Sequence, residues 1–294
     1  MNTQKTIGIF TGIAPQVKPW DPDTVKSGIT GSEEAVIYIS QQLAQLGYKV
    51  VVLGDPPEGS PHSFPEANPR FLNIQKIGFN GKLDIAIAWR MPAMGVQIKN
   101  IAHKVYLWPH DILVQHLSND QVDSFDDVLW LSKWQRDQWI SVNPRFAKFT
   151  NIFGNGVNQD QFKPLQERAN PYSCIYGSNY ARGLEVLLDL WPRIKEHQPR
   201  ATLDIYYGWQ HWGCLDPDKE VKMRKQVAIL PDVREHGLVS HDELNRAYEA
   251  ASFWTYPCIQ PETFCITALR AQLAGAVPVV LENSALPETV QHGY

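Results

Sequence analysis

The sequence predicts an α/β protein of two domains, each built around a parallel sheet. Three observations lead there. Short apolar runs alternate with longer segments of helical periodicity. One polar stretch containing two prolines interrupts the alternation, which then restarts. The chain of 294 residues, 44% of them hydrophobic, exceeds what a single core usually organises.

In the first half, strands are expected at Ile7–Phe10, Lys49–Leu53, Leu83–Trp89, Lys104–Trp108, Val128–Leu131 and Asn151–Phe153. The clearest helix is Ser32–Leu46. Its Val36, Ile39, Leu43 and Leu46 recur at i, i+3, i+7 and i+10, and Gly47 falls where a left-handed C-cap is wanted. Residues 159–171 (QDQFKPLQERANP) read as a linker between a domain at 1–158 and one at 172–294. Beyond it, strands are expected at Ser173–Gly177, Thr202–Tyr207, Phe253–Tyr256 and Val277–Leu281. Helices are expected at Gly183–His197, Asp242–Ala251 and Ile266–Leu273, with Pro192 kinking or breaking the first. Two such units would leave a cleft at the carboxyl ends of their strands, where open α/β sheets bind ligands.

Composition narrows the function. A net charge of -4 and a pI near 6.1 give no basic surplus for nucleic acid. Cys174, Cys214, Cys258 and Cys265 form no CxxC pair, and no His stands at zinc spacing, so they read as small buried hydrophobes in a reducing cytoplasm. No apolar run reaches membrane-spanning length, and the apolar run after Lys5 suits a first strand better than a signal peptide.

Four stretches carry candidate chemistry. Gly28-Ile-Thr-Gly31-Ser32-Glu33-Glu34 precedes the first helix, with Ser32 as its expected cap; a helix N-terminus here suits a phosphate, and a plain capped turn explains the stretch equally well. Trp108-Pro109-His110-Asp111 follows a strand; His110 could donate to a sugar hydroxyl with Asp111 orienting its ring, or the two could simply be a paired loop dipeptide. A metal-dependent hydrolase built on His-Asp would need further ligands at helical spacing, and none are present. Tyr176–Gly183 runs from strand to helix and puts the Arg182 guanidinium beside the amides around Gly183, an arrangement for a diphosphate or for an ordinary solvated helix start. Its spacing is not G-x-G-x-x-G, which leaves a nicotinamide oxidoreductase without its fingerprint. The fourth stretch, Pro261 to Val280, reads acidic loop, helix, glycine cap, strand; Glu262 there could bind sugar hydroxyls or merely complement the helix dipole. The aromatic run Tyr206–Trp212 suits packing at the sheet edge better than sugar stacking.

The fourth stretch resembles the family-4 glycosyltransferases of GT-B fold, whose hallmark is E-x-F-G-[IL]-x-x-x-E-A-x-A-x-G followed by P-V-V. Glu262, Phe264, Ile266, Ala271, Gly275, Pro278, Val279 and Val280 match it in order. Gly28–Glu34 resembles the family's glycine loop, His110-Asp111 its HD dipeptide, and Asn155-Gly156-Val157 with Phe162-Lys-Pro164 its NGVD…F-x-P segment. Arg182-Gly183 resembles its [KR]-G, and Pro287-Glu288, Val290 and Gly293 its late glycine segment with Ala285 for the first glycine. Four departures stand out. Arg270 replaces the second glutamate, which in the family holds the ribose. Cys265 replaces a glycine, Ser178 (or Gly177 on a shifted alignment) stands where an arginine usually joins the diphosphate site, and the chain stops inside the late glycine segment.

The resemblance implies two Rossmann-like domains with parallel sheets, the C-terminal one incomplete. It implies a retaining, metal-independent hexosyltransferase without a cofactor. A UDP- or GDP-sugar is the donor and a glycan or lipid-linked molecule the acceptor, with peripheral membrane contact compatible and nucleic acid excluded. The implied catalytic residues are Glu262, His110 and Arg182. Donor contacts would come from Gly28, Gly31, Ser32, Gly183, Thr263, Phe264, Cys265, Ile266 and Arg270, and acceptor-side contacts from Glu33, Glu34 and Asp111. A nucleotide-sugar-binding module with weak or no catalysis is the alternative raised by Arg270 and Ser178. A nucleotide-sugar epimerase of the same fold is disfavoured by the HD dipeptide and the order of the motifs.

Overall fold

The computed structural model describes residues 4–14, 17–76, 82–163, 167–209 and 216–291. Cys214, Pro164, Gly293 and residues 210–212 of the aromatic run lie outside the described residues. By internal contacts the chain divides into two units. The first holds residues up to Val25 with Ile29–Asn155; the second holds Lys26–Gly28 with Gly156 onward.

The first unit is a six-stranded sheet: β1 (Thr6–Phe10), β2 (Lys49–Gly54), β3 (Arg70–Asn73), β4 (Leu83–Trp89), β5 (Ala102–Trp108) and β6 (Asp127–Val128). Their order is β3-β2-β1-β4-β5-β6 and every pairing is parallel. Near-continuous apolar runs such as Thr6–Phe10 suit strands covered on both faces, and four of its five residues are buried. The expected strand at 128–131 shrinks to two residues, and 151–153 contributes a single bridge between Trp130 and Ile152. Bulk explains this: Trp130 packs edge-on against Trp139 and Phe146 at 5.5 and 5.8 Å, and its indole donates to Phe149 O at 3.1 Å. Helices α1 (Gly31–Gln45), α2 (Gly95–Lys99), α3 (Asn119–Asp123) and α4 (Lys133–Val142) complete the unit. Helix α1 ends as expected, with Gly47 at φ +92°. Its start differs: the N-cap is Thr30, not Ser32, and the Thr30 hydroxyl donates to the Glu33 carboxylate instead of accepting a helix amide.

The second unit alternates strictly: β7 (Ser173–Gly177), α5 (Leu184–His197), β8 (Thr202–Tyr206), α6 (Pro217–Ile229), β9 (Val233–Gly237), α7 (His241–Ala250), β10 (Phe253–Tyr256), α8 (Ile266–Leu273), β11 (Val277–Val280) and α9 (Leu286–Thr289). The strand order is β11-β10-β7-β8-β9, again all parallel. Helix α5 runs through Pro192 without ending there. Its buried Leu184, Leu187, Leu188 and Trp191 recur on one face, and packing of that face outweighs the one amide proline removes. Arg168 donates to Ala251 O at 2.6 Å and Ala274 O at 3.0 Å, the C-caps of α7 and α8, where a cation meets the negative end of each dipole.

Both sheets reverse direction beside their first strand, between β1 and β4 and between β7 and β10. The loops leaving the carboxyl ends of these pairs frame the crevice where such sheets bind ligands.

Candidate active site

In the second unit, the loops after β7 and β10 assemble the site. Strand β7 must end in glycine: a Cβ at Gly177 would fall 2.2 Å from the Tyr248 hydroxyl. The chain then makes a tight turn, Tyr180–Arg182, capped by Asn179 accepting from Ala181 N at 2.9 Å. Gly183 follows at φ +111°, and a Cβ there would stand 2.1 Å from Pro257 O in the loop after β10. Glycine is thus required both for the backbone and for the approach of the two loops.

That approach brings Arg182 onto Glu262. The guanidinium Nη1 donates to Glu262 Oε1 at 3.0 Å and to Pro261 O at 3.2 Å. The Tyr256 hydroxyl donates to the other oxygen, Oε2, at 2.7 Å. The loop carrying Glu262 is tied down by Ala285 N on Glu262 O, 3.0 Å, and by the Asn283 amide on Cys258 O and Gln260 O. Burial raises the Glu262 carboxyl above its ordinary range, against the lowering effects of Arg182 and Tyr256. Burial opposes the Arg182 charge, yet the Glu262 carboxylate and the neighbouring Tyr256 hold its pKa above the ordinary value. Burial also pushes the Tyr256 phenol well up, with Glu262 adding to the shift, so Tyr256 acts as a neutral donor. The Arg182 side chain keeps 37% of its surface exposed, while Glu262 keeps 10%. Nη1 makes both of these protein bonds.

Helix α8 begins at Ile266 with Cys265 as N-cap and no side-chain cap. Thr263, Phe264 and Ile266 are partly buried, and Cys265 is buried with its thiol held well up by burial and by Glu262. Cys174 and Cys258 are likewise free and buried. Ser178 lies 3.4 Å from the Tyr256 hydroxyl. Arg270 stands apart from Glu262's partners. It is buried in α8, with Nη1 donating to Asn245 Oδ1 at 2.6 Å and Nη2 3.4 Å from His241 Nδ1, both on α7. Gly28 clusters with this unit at φ +94°, and a Cβ there would lie 2.8 Å from Val239 O.

The described aromatics of the 206–212 run pack internally. Tyr206 stacks on His236 at 4.5 Å, and Trp209 meets Tyr180 at 4.6 Å with Arg224 over its ring at 4.5 Å.

In the first unit, a second cluster forms at the ends of β4 and β5, around the first turn of α1. His110 is buried against Trp108 and Trp89, ring centroids 4.6 and 5.5 Å apart. Its pKa lies well below the ordinary value, first because of burial and then because of Arg90, so the ring is neutral at neutral pH. Both Asp111 oxygens are taken by Arg90: Nε to Oδ2 at 2.6 Å and Nη2 to Oδ1 at 2.8 Å. The carboxylate expected to orient the imidazole is thus committed to a guanidinium. Backbone of the loop is held by α4, where the buried Gln135 amide donates to Pro109 O at 2.8 Å and Asp111 O at 3.1 Å and Trp139 Nε1 donates to Asp111 O. Glu33 and Glu34 are buried in the first turn of α1, beside Gly31 and Ser32. Burial raises the Glu33 carboxyl, opposed by the Thr30 hydroxyl and by Arg90.

Sequence reasoning missed Arg90, Tyr256 and Gln135. Arg90 and Tyr256 sit at the carboxyl ends of strands it placed within a residue, so attention to strand ends would have found both. Gln135, inside a helix it did not place, left no signal.

Among the described residues, the group able to share one metal ion is Asp21, Asp23 and His62. Asp21 already serves its own turn, accepting from Asp23 N, Thr24 N, the Thr24 hydroxyl and the Ser60 hydroxyl. This group contains no residue of either cluster. The same holds for a shallow depression of about 550 Å³ lined by Gln41, Gln45, His62 and Asn68.

Residues 171–294 match the family described as Glycosyl transferases group 1. D-inositol 3-phosphate glycosyltransferase from Streptomyces bingchenggensis is 29% identical over 108 residues, which span 37% of this chain and 23% of that relative's length. Among solved structures, Anabaena HepE in complex with UDP and glucose aligns at TM-score 0.70 and 17% identity over 99% of this chain and 84% of its own. Sucrose-phosphate synthase from Thermosynechococcus elongatus aligns at TM-score 0.69 and 14% identity, over 96% and 82%. The fold is therefore GT-B, two α/β units with parallel sheets, and the match to the group 1 glycosyltransferase family lies within the second unit.

Proposed function

We propose that the protein transfers a hexosyl group from a nucleotide-diphosphate sugar to a glycan or lipid-linked acceptor, with retention of configuration and without a metal ion. The observation that carries this reading is the Arg182–Glu262 pair, held on the two loops that leave the reversal point of the second sheet. A leaving diphosphate gains negative charge in the transition state, and preorganised donors where that charge develops lower the barrier. Arg182 supplies such donors from an orientation fixed by Glu262 and Pro261, together with the backbone around Gly183 and the start of α8. Each Glu262 oxygen already accepts one hydrogen bond and keeps a second lone pair for a sugar hydroxyl. In the first unit, a neutral His110 can give or take a hydrogen bond without carrying charge. UDP-glucose is the first donor to try, because HepE has been solved with it. We place the reaction in the cytoplasm.

Arg270 favours one other reading, a donor-binding module without turnover, since the position that would hold the ribose carries a buried cation turned toward α7. A panel of UDP- and GDP-sugars separates the two, with thermal shift reporting binding and released nucleoside diphosphate reporting turnover in EDTA. The transferase reading expects both signals for one donor, and both reduced at least 100-fold in Arg182→Ala and Glu262→Gln. Binding without turnover selects the module. Wild-type transfer by both variants removes the site.

A further inference from the structure

We infer that Arg90, which no motif of the sequence marks, is a positioning residue for the His110 loop: it fixes Asp111 by two parallel bonds and backs the Trp89 ring on which His110 packs. The inference rests on the transferase reading for its catalytic consequence.

Arg90 is the first residue after β4, at the point where the first sheet reverses its strand order. Trp89 and Trp108 are paired across β4 and β5, so the residues that follow them, Arg90 and the Pro109-His110-Asp111 loop, emerge side by side. The Arg90 amide donates to Trp108 O at 3.1 Å, and its backbone turns at φ +59°. Arginine rarely adopts that conformation, and such outliers persist where surrounding contacts enforce them. Here those contacts are the two parallel bonds to Asp111 and the guanidinium lying 5.2 Å over the Trp89 ring. Trp89 is the same ring that packs on His110. One side chain therefore touches both the residue beside His110 and the wall behind it.

The bidentate pair has an electrostatic effect as well. It commits the Asp111 carboxylate to Arg90, and the Arg90 charge disfavours a second cation in the same pocket, adding to the effect of burial on His110. Acidic groups near this loop include Asp111 itself and, in the first turn of α1, the buried Glu33 and Glu34; burial raises the Glu33 carboxyl, which favours its protonated form.

The test uses the full chain with labelled histidine. Imidazole resonances give the His110 titration midpoint, assigned by its loss in His110→Gln, and transfer from the accepted donor gives kcat against pH. Arg90→Ala should move the His110 midpoint upward. It should also cut kcat by about 10- to 100-fold, as loss of alignment at a reacting centre does, and carry the acid limb of the profile upward with the midpoint. Arg90→Lys keeps the charge and loses the fork, so its midpoint should stay near that of the parent while kcat falls to an intermediate value. An unmoved midpoint in Arg90→Ala overturns the inference, as does Arg90→Lys matching Arg90→Ala in both readouts. If the parent protein shows no transfer with any donor, the transferase reading fails, and the His110 midpoints still decide whether Arg90 controls that ring.

Discussion

Replacing Gly183 with alanine tests the architecture of the second-unit site through one methyl group. The new Cβ would stand 2.1 Å from Pro257 O and 2.7 Å from Pro257 C, so the loops must separate by roughly 1 Å to restore contact. Backbone at φ +111° adds a left-handed penalty of about 1–2 kcal/mol for a residue with a Cβ. Overpacking adds about 1–3 kcal/mol. The total, about 2–5 kcal/mol, corresponds to a fall in Tm of roughly 5–20 °C for a unit of this size. Gly183 adjoins Arg182, whose bonds to Pro261 and Glu262 span the same gap. A shift of that size at a charge-stabilising group costs about 100-fold in rate. Urea and thermal unfolding give the first number, and nucleoside diphosphate release gives the second. A variant with parental Tm and parental kcat would show that the two loops do not need to touch, and the reasoning that builds the site from their contact would be refuted.

Two further predictions address groups whose roles the sequence leaves open. Arg270→Glu should lower stability by about 3 kcal/mol without tightening donor binding, because it removes the buried guanidinium's bond to Asn245 and puts a buried charge of opposite sign in its place; urea unfolding and donor titration check it, and a stable variant with tighter binding would restore the ribose role. His110 has a folded pKa below its ordinary 6.5, so the unfolded chain binds the extra proton first and stability falls as pH drops below about 6.5, by up to about 1.4 kcal/mol per unit. The raised Glu33 and Glu262 carboxyls act with the opposite sign, gaining stability on acidification toward their ordinary range, and they are common to parent and variant. His110→Gln should therefore show a shallower acid slope than the parent between pH 7 and 5 in urea unfolding; equal slopes would place the imidazole in solvent.

The unequal legibility of the two clusters has a physical origin. The strand and helix periodicities were readable because burial imposes them on every residue of an element, and β4 and β7 fall where expected to the residue. Short helices such as Gly95–Lys99 carry too few turns to show a period. Ser32 looked like the cap of α1 because hydroxyls favour caps, yet Thr30 two residues earlier takes the position and turns its hydroxyl to the buried Glu33, a demand no local pattern encodes. Around Glu262, spacing within one stretch carried the information. The Arg182 partnership needed eighty residues of chain to return to the neighbouring strand. Arg90 illustrates the limit most clearly: an arginine after an apolar run reads as the end of a strand, and only the pairing of Trp89 with Trp108 turns it into the partner of Asp111. A residue whose role depends on strand register is invisible until the register is known, and in parallel sheets the register is fixed by segments far away in sequence. The groups that bind through local motifs are therefore the ones a sequence shows, and the groups that orient them are the ones it hides.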